Sequence, residues 1–295
     1  MHIRSAKPED AKTIIELQEQ HYLHQWSWNP EDLTHQIQRN PDTCRLVAEQ
    51  KGQVIGYAYA VPAETSGVLH VRFYAHPEHP EARFALLQAV RRTHPGKLAL
   101  ESTLREDYTA ARQFLEDAGF QNTFQSYGAH LDLQAFDFSP FQGLEERLFI
   151  EGFEVQRGHP QPSDALFQLY MEGFEDVPQV PATRWTLQTR EAFEQDYWQD
   201  RFEWFSVWYR GQIVALTLLE KDQTTVQSEI TLTARKFRHR GLSTLVKAHA
   251  FQWAKTAGFV QASTGGAVVN LGMLKVNRRL GYAIEPMWLT YTRQF

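Results

Sequence analysis

The stretch Arg238-His239-Arg240-Gly241-Leu242-Ser243 predicts a basic, glycine-containing turn between a strand and a helix. Residues 228–233, which precede it, alternate polar with apolar side chains and are rich in β-branched types, as is typical of a strand. The residues that follow, about 242–256, place apolar side chains at helical spacing on one face, with Lys247 outside that face. The order strand, basic turn and amphipathic helix is the starting point for the rest of the chain.

A turn of this kind predicts an anion-binding site. Successive backbone N–H groups, together with the positive end of the helix dipole, form a concave donor site for a phosphate or pyrophosphate. Gly241 leaves the backbone open to a ligand, Arg238 and Arg240 add positive charge, and Ser243 or Thr244 adds a hydroxyl donor. Short basic turns with one glycine are common, so the hexapeptide alone does not define a function.

The elements predicted after the turn add to this signal. Residues 259–264 read as a second strand, Gly265 and Gly266 as a break, residues 270–280 as a helix closed by Gly281, and residues 284–291 as a last strand. A strand, a turn, a helix, a strand, a helix and a strand therefore follow one another.

In these residues the chain resembles the GNAT superfamily of acetyl-CoA-dependent N-acetyltransferases. The loop of that family, Gln/Arg-x-x-Gly-x-Gly/Ala, is matched by residues 238–243, with serine as the small last residue. The later pattern of the family is matched by Thr264, Asn270, Met273, Asn277 and Leu280-Gly281-Tyr282. The resemblance is closest to tandem members, including those similar to mycothiol synthase.

An internal repeat favours two such units. The chain has 295 residues with 42% hydrophobic content, which is enough for two domains. Three segments recur in the same order at a nearly constant offset. They are Gly52-Gln53-Val54-Ile55 with Gly211-Gln212-Ile213-Val214, Pro8-Glu9-Asp10-Ala11 with Pro162-Ser163-Asp164-Ala165, and Gly119-Phe120 with Gly281-Tyr282.

We therefore expect an α/β (α+β) fold of two tandem GNAT-like domains, each a mixed, mostly antiparallel twisted sheet with helices on both faces. The predicted domains are 1–140 and 146–295, because Pro140 and Gly143 interrupt the periodic pattern. In the first copy the loop becomes Pro80-Glu81-Ala82-Arg83, which lacks the glycine, loses a donor at the proline and brings a negative charge. This predicts a degenerate first domain without ordinary CoA binding, although a shifted loop that still binds stays open.

Charge and cysteine content limit the partners and the compartment. The net charge of −5 and the pI of about 6.2 disfavour general nucleic-acid binding, in spite of the basic run at residues 235–240. Cys44 is the only cysteine, which excludes an internal disulfide and fits a reducing compartment. The histidines show no metal-ligand spacing, and no segment reads as a signal peptide or membrane span. The prediction is a cytoplasmic protein without a metal site.

The resemblance implies transfer of an acetyl group from acetyl-CoA to a primary amine of a small molecule or peptide, by direct attack, in the C-terminal domain. In this family the oxyanion of the intermediate is bound by a backbone N–H on the strand before the loop. The residues predicted to bind the cofactor are Leu232, Thr233, Ala234, Arg238, His239, Arg240, Gly241, Leu242, Ser243, Thr244, Asn270 and Asn277.

Two catalytic candidates follow. Glu229 lies on the strand in phase with Thr231 and Thr233, so it is a candidate base, and a solvated strand residue is the alternative. Asn277 takes the place where many family members have a tyrosine that protonates the leaving thiolate. Asparagine cannot act as an acid, so it hydrogen-bonds CoA or the thiolate, or else it is an exposed helix residue.

The acidic residues 172, 175 and 176 are a further candidate for holding a cationic substrate, or they are ordinary exposed charge at a helix end. Aromatic residues are frequent between residues 170 and 205. We expect most of them to lie in the core and a few to line an acceptor pocket. They are Tyr170, Phe174, Trp185, Phe193, Tyr197, Trp198, Phe202, Trp204 and Phe205. A non-catalytic acyl-CoA-binding sensor or interaction protein remains the alternative function.

Overall fold

The computed structural model describes residues 1–22, 28–63, 65–178 and 186–295. The chain divides into two compact units. The N-terminal unit comprises Met1–Gln125 and Trp288–Phe295, and the C-terminal unit comprises Ser126–Met287. Each is a mixed, mostly antiparallel sheet that carries helices, as the sequence predicts.

The N-terminal unit has the strand order β1-β2-β3-β4-β5-β13, followed by the first residues of β6. The pairs β1–β2, β2–β3, β3–β4 and β5–β13 are antiparallel, and β4 with β5 is parallel. Its elements are β1 (His2–Ser5), α1 (Ala11–His21), α2 (Pro30–Arg39), β2 (Cys44–Gln50), β3 (Gln53–Pro62), β4 (Val68–Ala75), α3 (Ala82–Thr93), β5 (Ala99–Arg105), α4 (Thr109–Asp117), β6 (Gln121–Asp132) and β13 (Trp288–Gln294).

The C-terminal unit has the order β6-β11-β10-β9-β8-β7, in which β10 with β11 is the parallel pair and β12 lies beside β6. Its core has two parts, one with α8 and one with α6 and α7. Its elements are α5 (Gln142–Ile150), β7 (Phe153–Arg157), α6 (Asp164–Asp176), α7 (Arg190–Tyr197), β8 (Phe202–Tyr209), β9 (Gln212–Asp222), β10 (Thr225–Thr233), α8 (Leu242–Thr256), β11 (Gln261–Ala267), α9 (Leu271–Arg279) and β12 (Ala283–Ile284).

The repeated Gly-Gln segments form the same hairpin turn in both units. Lys51 and Gly52 join β2 to β3 with φ of 50° and 78°, and Arg210 and Gly211 join β8 to β9 with φ of 50° and 77°. Two successive positive φ angles define a type I′ turn, which matches the right-handed twist of the paired strands and favours glycine at its second position. The repeated Gly-Gln segments in the sequence therefore correspond to the same type of turn in both units.

The residue limits of the units differ from the predicted domain limits, 1–140 and 146–295, because the units exchange their last strands. Strand β13 pairs with β5 in the N-terminal unit, while β6 from Ser126 onward pairs with β11 in the C-terminal unit. The predicted break around Pro140 and Gly143 is occupied by a 3-10 turn, Ser139–Phe141, and the start of α5, and Phe141 is buried in the core of the C-terminal unit.

Two local predictions are wrong. Gly265 and Gly266 do not break the chain, since both lie inside β11 opposite Gly128 and Tyr127. A Cβ on Gly265 would lie 3.0 Å from the Tyr127 carbonyl oxygen, so close backbone approach explains the glycine. Lys247 is also not a solvent-facing residue of α8, because only 1% of it is exposed. The helix bounds 242–256 are those predicted.

Candidate active site

The predicted anion-binding turn connects β10 to α8. His239 and Gly241 have φ of 63° and 94°, and Gly241 is the N-cap of α8 without a capping side chain. The first N–H groups of a helix have no acceptor within the helix, so they point toward this end. A cavity of about 510 Å³ lies along the turn, and Ser243, Thr244 and Asn270 line it.

Gly241 is required for a reason beyond ligand access. Its φ of 94° lies in the left-handed region, where other residues are strained. A Cβ there would also lie 3.0 Å from the Leu144 side chain. Any larger residue therefore changes the turn itself.

The arginines near the turn already have acidic partners. Arg238 donates to Asp176 at 2.6 Å and to the Thr233 carbonyl at 3.0 Å, and Arg235 donates to Asp176 at 2.7 Å and to Glu175 at 2.8 Å. These hydrogen bonds from Arg235 and Arg238 hold the pKa of Asp176 down at about 2. The acidic end of α6 is thus an ion-pair partner of the turn.

Arg240 is engaged in the same way. Its guanidinium donates to Glu151 at 3.4 Å, and its carbonyl accepts a bond of 2.8 Å from Arg147. The predicted positive charge at Arg238 and Arg240 is therefore shared with carboxylates. Backbone N–H groups remain the main donors that the turn presents to an anion.

Strands β10 and β11 separate next to this turn. Their parallel pairing covers only Thr225–Gln227, whereas the pairing of β10 with β9 continues to Thr233. Beyond that point β11 pairs with β6 as far as Ala267. A cavity of about 410 Å³ opens between the two strands.

One backbone donor on the cleft edge of β10 stands out. The Ala234 N–H donates to the Val214 carbonyl of β9, so it is used inside the sheet. In an antiparallel pair the N–H groups of successive residues point to opposite sides. Leu232 therefore faces β9 as Ala234 does, and the Thr233 N–H faces the cleft. Among the predicted residues Leu232, Thr233 and Ala234, this arrangement favours Thr233 as the donor.

Glu229 sits at a β-bulge. The register of β10 with β9 shifts between Ser228 and Ile230, so Glu229 is the extra residue. Val226, before the bulge, packs with α8, whereas Ile230, after it, packs with α6 and α7. The Gln227 side-chain amide donates to the Glu229 carboxylate at 3.1 Å. Glu229 is an exposed residue that lines the cleft, and partial desolvation of its carboxylate raises its pKa above the usual value.

A buried polar chain crosses the inner end of the cleft. The Lys247 ammonium donates to the Asn277 Oδ1 at 2.9 Å, and the Asn277 amide nitrogen donates to the Tyr127 Oη at 2.9 Å. Lys247 is 1% exposed and Asn277 is fully buried, so the alternative of an exposed asparagine is wrong. Burial lowers the pKa of Lys247 to about 7 and raises the pKa of Tyr127.

Lys247 and Tyr127 line the cleft and were missed in the sequence. A signal for Lys247 exists, since it lies between Val246 and Ala248 and three residues before Ala250, so a lysine there has apolar neighbours along the helix. Tyr127 has no such signal. It reaches Asn277 from a strand 150 residues earlier in the chain, and only the fold brings the two together.

The remaining predicted residues are placed as follows. Asn270 caps α9, because its side chain accepts from the Met273 N–H at 3.2 Å, and it lines both cavities. Ser243 Oγ and Thr233 Oγ1 are 2.7 Å apart. Most of the aromatic residues form the core with α6 and α7, as expected, while Trp185 lies outside the described residues.

The N-terminal unit has the same separation of strands, but little space remains between them. Strands β4 and β5 pair only over Val68–His70, although β4 stays paired with β3 up to Ala75. Aromatic side chains fill the opening and leave about 20 Å³, lined by residues that include His21 and Phe114. Burial lowers the pKa of His21 to about 3.

The loop of the N-terminal unit also differs. None of residues 76–82 has a positive φ, and the imidazole of His79 contacts the Glu81 carboxylate at 3.2 Å. Pro80 supplies no N–H. The loop thus presents fewer donors and an added negative charge at the start of α3.

Comparisons with solved structures identify the fold. A GCN5-related N-acetyltransferase from Sphaerobacter thermophilus aligns at 16% identity and TM-score 0.63, covering 99% of this chain and 95% of that one. A tandem GNAT protein from the clavulanic acid biosynthesis pathway aligns at 14% identity and TM-score 0.58, covering 99% and 98%. The chain has the GNAT fold over nearly its whole length, which confirms the predicted fold.

A third structure agrees. The GCN5-related glucosamine N-acetyltransferase region of a fungal multi-domain GH3 β-N-acetylglucosaminidase aligns at 14% identity and TM-score 0.64, covering 99% of this chain and 38% of that one. No protein-family profile and no curated protein sequence matches the chain. In the part of the chain that the structure describes, no helix has the length and apolar character needed to span a membrane.

Proposed function

We propose that the protein is an N-acetyltransferase that uses acetyl-CoA and whose active site lies in the C-terminal unit. The observation that carries the proposal is the open cleft between β10 and β11, with an uncapped helix start at its outer end and the Lys247–Asn277–Tyr127 chain at its inner end. The low sequence identity of the similar structures means that the activity rests on this site.

We propose one orientation for the cofactor in the cleft. Its pyrophosphate accepts from the N–H groups of residues 241–244, where the helix dipole favours negative charge. The pantetheine arm lies between the separated strands and bonds to their free backbone edges in the manner of an added strand. The thioester carbonyl then lies near the Thr233 N–H, which stabilises the oxyanion.

The reaction is a direct transfer. The amine nitrogen attacks the thioester carbonyl carbon, a C–N bond forms, and the C–S bond breaks as the tetrahedral intermediate collapses. Glu229 accepts the proton that the amine loses, and its raised pKa makes its carboxylate a stronger base than an ordinary glutamate. The acceptor is a primary amine of a small molecule or peptide that enters past Val177 and Pro178.

Tyr127 supplies the proton for the leaving thiolate. Its Oη accepts from Asn277, so its own hydrogen remains for an acceptor in the cleft, and a phenol with a raised pKa is protonated at neutral pH. Asn277 positions this phenol, and Lys247 in turn fixes the amide. The phenolate regains its proton from water in the cleft.

The reducing cytoplasm is the compartment we propose for this reaction.

The test is incubation of the purified protein with acetyl-CoA and a panel of primary amines, with free thiol and acetylated product both measured. We expect product and thiol in equal amounts with at least one amine. Thiol without product would indicate hydrolysis only. Tight acetyl-CoA binding without product across the panel would instead support the alternative function, a non-catalytic acyl-CoA-binding sensor or interaction protein.

A further inference from the structure

A row of charged and aromatic side chains crosses three strands of the N-terminal unit. Arg45 of β2 lies opposite Tyr59 of β3, and Tyr59 lies opposite Arg72 of β4. Residues directly opposite each other on neighbouring strands point to the same face of a sheet. One tyrosine is therefore flanked by two arginines, and the Arg45 guanidinium lies 5.4 Å from the centre of the Tyr59 ring.

Arg45 is a buried cation without an acidic partner in the described residues. It is 7% exposed, its Nη1 donates to the Asn40 carbonyl at 3.2 Å, and its Nε has no hydrogen-bond partner. Arg72, which is more exposed, donates to the Tyr22 hydroxyl at 3.2 Å. A buried charge that is neither paired nor fully hydrogen-bonded is costly, so an unsatisfied guanidinium is an unusual feature of a folded chain.

Both arginines line one cavity of about 300 Å³ between the sheet and helices α1 and α2. Its other walls combine aromatic residues, Trp28, Tyr57 and Tyr59 among them, with polar side chains of α1 and α2. The rings of Tyr57 and Tyr74 stack at 5.9 Å with 15° between their planes. Asp32 also lines it, but it forms no ion pair with either arginine within 4.0 Å. The volume lies at the small end of the range for ligand pockets.

We propose that this cavity binds a small organic carboxylate with a flat apolar body. The carboxylate accepts charge-assisted hydrogen bonds from the Arg45 guanidinium, which lines the cavity and has no acidic partner among the described residues. Arg72 adds charge, and the flat body stacks on the tyrosine rings. Anion binding here compensates the buried cation and is separate from acetyl-CoA binding, so the proposal stands apart from the proposed function.

The experiment is titration calorimetry of the full chain with benzoate, benzamide and phenyl phosphate. Benzamide has nearly the shape of benzoate without its charge, and phenyl phosphate tests the other common anion. We expect one saturable benzoate site per chain, weaker binding of phenyl phosphate and no saturable binding of benzamide. Absence of saturable benzoate binding, equal binding of benzamide, or preference for phenyl phosphate would overturn the proposal.

Variants locate the site. Arg45→Met should weaken benzoate binding about 10-fold or more, as expected for a lost charge-assisted hydrogen bond. The affinity of Arg45→Lys should lie between that of Arg45→Met and that of the unmodified chain, because lysine keeps the charge but lacks the paired N–H donors of the guanidinium. Arg39→Met, an equal loss of charge on the exposed end of α2, is the matched control and should bind as the unmodified chain does. If Arg45→Met fails to fold, Arg72→Gln, at a more exposed position, provides the test, and its benzoate affinity should also fall. Unchanged affinity in Arg72→Gln and Arg45→Lys would contradict the assignment.

Discussion

The two units open their sheets at the same place, but one opening is filled and the other is empty. About 20 Å³ remains between β4 and β5 of the N-terminal unit, against about 410 Å³ between β10 and β11 of the C-terminal unit. The separation of the strands therefore belongs to the fold. The side chains that face the opening decide whether a ligand fits.

The same comparison explains the buried polar chain. Lys247 is the sixth residue of α8, where α3 has Leu87, and Asn277 is the seventh residue of α9, where α4 has Leu115. Tyr127 lies opposite the sixth residue of β11, where the N-terminal unit has Leu289 opposite the sixth residue of β5. Three polar residues thus take the places of three leucines. Replacing buried leucines by Lys247, Asn277 and Tyr127 costs free energy, because polar groups lose their hydration on burial. Retention of all three therefore favours a chemical role at this site.

The largest effect is expected where the two loops differ. Gly241→Asp gives the C-terminal loop the features of the N-terminal one, a side chain at the helix start and a negative charge, and it also strains a residue with φ of 94°. Acetyl-CoA affinity should fall about 100-fold or more, measured by calorimetry, since both geometry and charge oppose the pyrophosphate.

Gly258→Asp is the control for that variant. Gly258 follows the far end of the same helix, also has φ of 94°, and has no atom within 4 Å of an added Cβ. It tests backbone strain without the anion site. Equal loss of affinity in both variants would mean that the effect comes from helix stability and that the turn does not bind the cofactor.

Removal of the proton donor should be the next largest effect. Tyr127→Phe should lower kcat about 100-fold, a usual size for general acid catalysis, while acetyl-CoA affinity changes little. Because the acid must be protonated, the rate of the unmodified enzyme should decline as pH rises through the pKa of Tyr127, and this decline should disappear in the variant. Tyr282→Phe is the control and should leave the rate unchanged, because the buried Tyr282 hydroxyl has no hydrogen-bond partner in the part of the chain that the structure describes.

The base is tested by Glu229→Gln, read from the pH profile of kcat/KM. A base must be deprotonated, so the rate should rise as pH rises through the raised pKa of Glu229, and the variant should lose this rise and about 100-fold in rate. Glu154→Gln, a change at an exposed strand residue of the same unit, serves for comparison. A normal rate and profile in Glu229→Gln would assign the deprotonation to water.

A smaller effect concerns stability. Burial lowers the pKa of Lys247 from 10.5 to about 7, so the unfolded chain binds more protons between these values and stability should rise with pH across that window. Lys247→Leu, which copies the leucine of the N-terminal unit, should abolish that rise in denaturant unfolding. Lys275→Leu, at an exposed position of α9, should keep it. An unchanged slope in Lys247→Leu would show that the lysine is not charged differently on folding.

Features set by neighbouring residues could be read from the sequence, and features set by distant residues could not. The bounds of α8 and the turn at Gly211 follow from local spacing and glycine chemistry. The exchange of β6 and β13, by contrast, depends on pairing between segments far apart in the chain. The same holds for the site: the Gly241 turn was predicted, but the meeting of Tyr127 with Asn277 was not.

Two features of the site depart from a regular pattern. A period of two assumes that a strand stays regular, and the bulge between Ser228 and Ile230 places Val226 and Ile230 on opposite faces of the sheet. A helical pattern with one apolar face assumes solvent on the other, and α8 is covered on both sides, so Lys247 is buried.

Calorimetric titration of the full chain with acetyl-CoA tests the central claim most directly. We expect one site per chain, lost in Gly241→Asp and kept when the N-terminal loop is changed by Glu81→Gln. That result would mean that the cofactor binds only in the open cleft of the C-terminal unit. Two equivalent sites, or a single site that Gly241→Asp leaves intact, would contradict the account.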